Sequence, residues 1–271
     1  MNMKNNKFAF LIIFAILTGG CNSVNKITDK DGEIFYRENV SGNIISRDYN
    51  YEKLLFNTHN FEFKMHLENI NGFEKASNLV TKLIYEDKKF DDYAQYMEDE
   101  FTKYSREEDY PPITLDDGTQ YFYRSALNID YSIEYIGDSF AIIKYSEYFY
   151  YSGTAHGYYR IFYHTIDINE GRLLEISDLI NPVPDALLKQ LIESEYDIAY
   201  YLREEIWKPD SINFNSENTE LIWNIYQITA YADGIIIIEI PDDIIMQYLT
   251  ERGKALKMET DNFLRQKAAS H

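Results

Sequence analysis

The stretch from Tyr148 to Ile180, YFYYSGTAHGYYRIFYHTIDINEGRLLEISDLI, constrains this chain more than any other. An aromatic strand runs into the small-residue turn Ser152-Gly153-Thr154-Ala155-His156-Gly157. A second strand follows over Tyr158 to Ile168. Asn169-Glu170-Gly171 makes a tight turn, and Leu173 to Ile180 leads towards a helix. Two glycines around Thr-Ala-His imply backbone that turns sharply or passes close to other chain. Gly153 and Gly157 are predicted to hold φ values awkward for other residues. His156 is predicted to be largely buried with backbone partners.

The same alternation of aromatic residues recurs. Leu127 to Ile136, the turn Gly137-Asp138-Ser139 and Phe140 to Tyr151 read as a hairpin, which Tyr158 to Ile168 extends into a meander. Tyrosine suits a pleated surface with a wet rim. Most of the 25 tyrosines are therefore read as sheet packing rather than as a sugar-stacking platform. His59 to Leu67 alternates Phe61, Phe63, Met65 and Leu67 against polar residues, a half-buried strand. From Phe73 to about Tyr104 the period becomes helical, with a break near Asp87-Lys88-Lys89. Pro111-Pro112 ends that region and Asp116-Asp117-Gly118 adds a turn.

A helix after Pro184 is predicted to bury Leu187, Leu188, Leu191, Ile192, Ala199, Leu202 and Ile206. Asn213 to Thr219 reads as a polar loop, Leu221 to Tyr231 as a strand and Asp233-Gly234 as a turn. Ile235 to Ile240 reads as a fully buried strand, and the last helix runs from Pro241 through Leu249. Residues 251–271 read as a charged C-terminal tail, predicted to fray beyond Gly253. The fold class is α+β, with two small subdomains, each an antiparallel sheet packed on one or more helices.

The first twenty residues are a targeting segment. Lys4 and Lys7 precede the uncharged run Phe8 to Leu17, and Thr18-Gly19-Gly20 leads to Cys21, the one cysteine. Small residues before a lone Cys resemble a bacterial lipobox, so residues 1–20 read as a lipoprotein signal peptide and Cys21 as the acylated residue. Thr18 stands where a lipobox usually has an aliphatic residue. Residues 21–48 are polar with little periodicity and read as a flexible tether. With Cys21 lipidated, no disulfide is expected and core packing must hold the fold. The 45 acidic against 26 basic residues make the net charge -19, and loss of Lys4 and Lys7 takes it to -21. Such acidity argues against a nucleic-acid partner and permits a cationic one.

Three segments carry a family resemblance. Tyr151 to Gly157 (YSGTAHG) is similar to Y-x-G-G-A-H-G. Asp167 to Leu179 (DINEGRLLEISDL) is similar to N-x-D-x-x-T-G-K-x-L-x-L-x-D-L-F. Tyr226 to Leu249 looks like Y-E-I-x-P-Y-A-x-G-x-x-x-V-x-I-P-x-x-x-L. Together they resemble the extracellular RsiV-like domain, a domain of unknown function that usually follows a PdaC-like domain. Thr154 stands where that family has Gly, and Thr229-Ala230 replaces Ala-Pro. The resemblance implies a PdaC-like α+β domain over 49–157 and an RsiV-like α+β domain over 158–250, with Gly153, Ala155, His156 and Gly157 as the motif turn. An anti-sigma member of the family binds lysozyme through this domain, and other members are fused to a polysaccharide deacetylase. Only Met1 to Lys7 precede the apolar run, so a sigma-factor segment is not expected, nor is a deacetylase.

No nucleophile sits beside a readable base. There is no G-x-S-x-G, and the five histidines (59, 66, 156, 164 and 271) form no H-E-x-x-H pair. Asp29-Lys30-Asp31-Gly32 is only a fragment of a calcium loop. No catalytic residue, metal or cofactor is therefore expected. The expected function is a non-enzymatic envelope lipoprotein, its folded part outside the cytoplasm, that binds lysozyme or another cationic envelope-acting protein. The alternative is a protein that binds cell-wall glycan, or hydrolyses peptidoglycan with carboxylates the sequence does not single out.

Overall fold

The computed structural model describes residues 23–29, 32–41, 43–55, 59–84, 102, 111–152, 154–196, 206, 208–215, 218–228 and 234–269. It is mixed α and β, with antiparallel sheets and a few helices. Its contacts divide into two compact units.

The first unit falls within Met1–Asn71, Lys88–Ile129 and Phe149–His156. Strands β1 (Ser23–Asp29), β2 (Gly32–Ser41), β3 (Ile44–Leu55) and β4 (His59–Ile70) form an antiparallel meander. A small hairpin, β5 (Ile113–Thr114) and β6 (Gln120–Tyr121), precedes β7 (Tyr123–Ile136). The alternation read over His59 to Leu67 sets the inner face: Phe61, Phe63 and Met65 are buried, with Tyr51, Leu55 and Leu127. The tether expected over residues 21–48 is corrected, because β1, β2 and the start of β3 lie there. Mostly polar strands carry no apolar period to read, and their ladders are made by backbone groups common to every residue.

The second unit comprises Gly72–Asp87, Asp130–Tyr148 and Gly157–His271. It holds α1 (Glu74–Leu83), most of β7 and β8 (Phe140–Tyr150), β9 (Tyr158–Asp167) and β10 (Arg172–Leu173). Helices α2 (Ile176–Leu179) and α3 (Asp185–Glu195) follow. A three-stranded antiparallel sheet comes next: β11 (Ser211–Phe214), β12 (Asn218–Trp223) and β13 (Ile236–Pro241). Helices α4 (Asp242–Ile245) and α5 (Glu251–Ala269) end the chain's described part. The core gathers Phe140, Ile142, Leu188, Ile192, Leu221, Trp223, Ile236, Ile238 and Leu256.

Several expectations change here. The units interleave along the chain instead of meeting at 157/158, because α1 and much of the β7–β8 hairpin belong to the second. The polar loop expected over 213–219 includes the end of β11 and the start of β12. The strand expected to reach Tyr231 stops at Trp223. The fraying tail is instead α5, a 19-residue helix. Leu256 is wholly buried on it, and Phe263 meets Tyr135 edge-on at 5.1 Å. Buried Lys257 donates to Asn215 O and to the Asp261 carboxylate, both at 2.6 Å. Charges satisfied by folding look solvated in sequence, so this helix reads as polar. Of the helix expected over 73–104, the described parts are Phe73, α1, Ile84 and a helical Thr102; of the one beyond Pro184, they are α3, Tyr196 and Ile206.

Candidate functional site

The motif turn links β8 to β9. Gly153 lies outside the described residues. Gly157 has no left-handed φ, so its requirement is close approach: a Cβ there would come within 2.5 Å of the Tyr148 ring. Ala155 and His156 are exposed. The burial expected of His156 is thus corrected, since neighbouring small residues leave it at the surface of the turn. Thr154 takes over the tying role. Its hydroxyl lies 2.7 Å from Tyr151 O and 3.1 Å from His156 O, and its N–H donates to Tyr151 O at 3.2 Å. The turn is thus closed by a side chain. Buried Ser125 accepts the Ser152 N–H at 3.1 Å.

The second motif segment builds a charged clasp. Asp167 Oδ1 accepts the N–H groups of Asn169 and Glu170 at 2.9 and 2.8 Å, and Gly171 follows at φ 69°, a value that favours glycine. Arg172 donates to both Asp178 oxygens at 2.8 and 2.9 Å and to Glu170 at 2.8 Å. Arg252, on α5, donates to both Glu170 oxygens. The Arg172 hydrogen bonds hold the Asp178 carboxyl at about 2, below the usual carboxylate range. Asp178 also closes a capping box with Glu175 at the start of α2. These ionised residues bond one another, so this segment organises the fold.

Within the third segment, Tyr226 stands at φ 69° and half exposed, between buried Ile225 and Ile228. Residues 229–233 lie outside the described residues. Just before it, buried Asn224 meets both backbone groups of Ile161: its Oδ1 accepts Ile161 N–H at 2.7 Å and its Nδ2 donates to Ile161 O at 2.9 Å. That amide replaces a missing strand neighbour for β9.

Two polar features were not singled out from sequence. In the second unit, Arg160 donates to Glu147 at 2.8 Å and lies 5.4 Å from the Tyr158 ring centre and 5.9 Å from that of Phe162. Tyr145 donates its hydroxyl to Glu147. Burial, reinforced by that carboxylate, pushes the Tyr145 phenol well above its usual range, so it remains a proton donor. Glu147 and Arg160 are two alternating strand positions among many, and only strand pairing matches them. In the first unit, a groove of about 420 Å³ is lined by Glu52, Leu54, Asn60, Phe61, Glu62 and Arg124. Arg124 donates to Glu62 at 2.5 Å and Lys64 pairs with the same carboxylate. Burial raises the Glu62 carboxyl, but Lys64 and Arg124 outweigh it and leave it below the usual range. Among the described residues, no three His, Cys, Asp or Glu side chains gather as a metal site. No helix among them is long and apolar enough to cross a membrane.

His59 is fully buried, and its ring stacks on Tyr123 at 6.4 Å. Burial lowers its pKa to about 4 from an unfolded value of 6.5. The unfolded chain therefore binds the extra proton first. The contribution of His59 to the first unit's stability is complete above about pH 6.5 and is expected to fall by about 2–3 kcal/mol as pH drops towards 4. His59→Phe keeps the stacked ring and should remove that part of the loss in urea melts at pH 7 and pH 4. An unchanged acid loss would show that other groups cause it.

No family model matches the sequence, and no curated protein matches it. The fold is similar to the crystal structure of a DUF3298 family member from Bacteroides fragilis, with TM-score 0.57 and 18% identity over 81% of this chain and 97% of that one. A DUF3298 family protein from Pseudomonas aeruginosa also matches, with TM-score 0.47 and 14% identity over 71% of this chain and 87% of that one. At such identities the likeness is one of fold. It places the chain beside a bacterial domain of unknown function.

Proposed function

We propose that this protein is a lipid-anchored, RsiV-like envelope protein, with PdaC-like residues before that domain, whose folded part binds a basic envelope-acting protein and catalyses nothing. Lysozyme is the model partner. The net charge of -19 carries this reading, because it attracts a cation over long range and speeds encounter. The three motif resemblances support it, and so does the use of the clasp's ionised residues to hold one another. Salt screens exposed charges over roughly 8 Å at physiological ionic strength, so charge alone does not make a specific complex.

The intact protein titrated with lysozyme at low and physiological salt tests the proposal, with an equally basic unrelated protein as control. The expected result is lysozyme binding that survives physiological salt and lowers muramidase activity. Equal binding of both proteins, vanishing together as salt rises, would reduce the effect to charge attraction. The same preparation carrying Cys21→Ser should lose its membrane association; normal processing with full retention would remove the anchor.

A further inference from the structure

We infer that the β5–β6 hairpin of the first unit is the anchor by which this protein seats in an apolar recess on its basic partner, an inference that rests on the function proposed above. Ile113, Leu115, Tyr121 and Phe122 are 40%, 47%, 46% and 41% exposed, although all four are large and apolar. Ile113 and Tyr121 are directly paired across the hairpin, and Leu115 follows Ile113 by two residues. Together with Phe122 at the hairpin's base they expose on the order of 300 Å² of apolar surface, the size of the largest and often functional apolar patch on a typical monomer.

The patch is held rigidly. Leu115 N–H donates to Thr119 O and Gly118 N–H to Leu115 O, both at 2.8 Å. Asp117 Oδ1 accepts the Thr119 N–H at 2.8 Å, and Gly118 takes φ 83°. Tyr121 packs edge-on against Tyr123 at 5.4 Å, and Tyr123 stacks on buried His59. A preformed hairpin loses little conformational freedom on binding, and aromatic and aliphatic side chains grouped this way act as binding hot spots.

Charge selects the occupant. Asp116 and Asp117 sit at the hairpin's tip, and no Lys or Arg occurs from Pro111 to Tyr123. Anionic lipid or a second copy of this acidic chain would meet like charge there. A basic protein with an apolar recess meets both the apolar centre and the acidic tip.

The test measures lysozyme affinity of the intact protein at physiological salt for the unsubstituted chain, Leu115→Ser, and Leu115→Ser with Tyr121→Ser. Met258→Ser, at a site 63% exposed in the second unit, is the control. Near-ultraviolet circular dichroism checks that each variant is folded. The double variant is expected to bind at least tenfold more weakly, the single variant less so, and Met258→Ser as before. Unchanged affinity in the folded double variant overturns the hairpin assignment and leaves the proposed function standing. No binding by the unsubstituted chain overturns both. A dimer in sedimentation that dissociates in the double variant assigns the patch to self-association and likewise overturns the proposal.

Discussion

Trp223→Ala is expected to lower the stability of the second unit by about 3–5 kcal/mol, the range for truncating a buried aromatic side chain. Trp223 is wholly buried in a core that includes Leu188, Ile192, Leu221, Ile236 and Ile238. The indole N–H also donates to Ile206 O at 3.0 Å. Alanine there leaves a cavity among side chains fixed by strands and helices, and removes one of two donors to Ile206 O, which keeps the Lys208 N–H at 2.7 Å. Trp223→Phe separates the two contributions. It fills much of the space without the N–H, and is expected to cost about 1–2 kcal/mol. Urea unfolding at neutral pH measures both. A loss below about 1 kcal/mol for the alanine variant would mean that the surroundings collapse into the space, against the packing described.

Gly253→Ala is expected to destabilise the same unit by about 2–3 kcal/mol, opposite in sign to what helix propensity predicts. Gly253 lies in the first turn of α5, where alanine would otherwise gain about 1 kcal/mol. A Cβ at this position falls 2.0 Å from Leu179 O and 3.0 Å from Leu179 C, which are backbone atoms. Those atoms are pinned: Thr250 N–H donates to Leu179 O at 3.0 Å, and Asn181 N–H donates to Tyr248 O at 2.8 Å. Thr250 caps the helix by accepting the Gly253 N–H at 3.0 Å. Room for a methyl group therefore requires α5 and the end of α2 to separate. Unfolding midpoints for Gly253→Ala and the bulkier Gly253→Val should fall in that order. A rise in stability for Gly253→Ala would show that the close approach is relieved at no cost.

The candidate site was unevenly legible. Asp167 to Leu179 stands out in sequence as a motif, and its residues do gather, yet their work is to hold a turn, a helix start and α5 together. Such a segment is recognisable because a fold needs it, and that need is separate from ligand contact. The exposed hairpin shows in sequence only its Asp-Asp-Gly turn. Ile113, Leu115 and Tyr121 are residue types that normally enter a core, and sequence does not distinguish a strand that packs its apolar face from one that shows it to solvent. His156 misled for the converse reason. Flanking glycines suggested enclosure, while the close approach at Gly157 is to Tyr148.

Local periodicity determined much of the architecture. Phe61, Phe63 and Met65 in β4, the β7–β8 hairpin about Gly137-Asp138-Ser139 and β9 all stand where alternation and turn residues put them; β13 follows its continuous apolar run, but it buries Ile236, Ile238 and Ile240 and leaves Glu239 exposed instead of being fully buried. These features depend on neighbours within a few residues, which a sequence displays directly. Tertiary structure alone decided that polar residues 23–29 and 32–41 form strands, that the charged end is a packed helix, and that the units interleave. It also decided which charges meet: Arg252 with Glu170, 82 residues apart, and Arg160 with Glu147. An ion pair exists only within a few ångströms, and alternation names the face on which a side chain stands without naming the strand or helix brought opposite it.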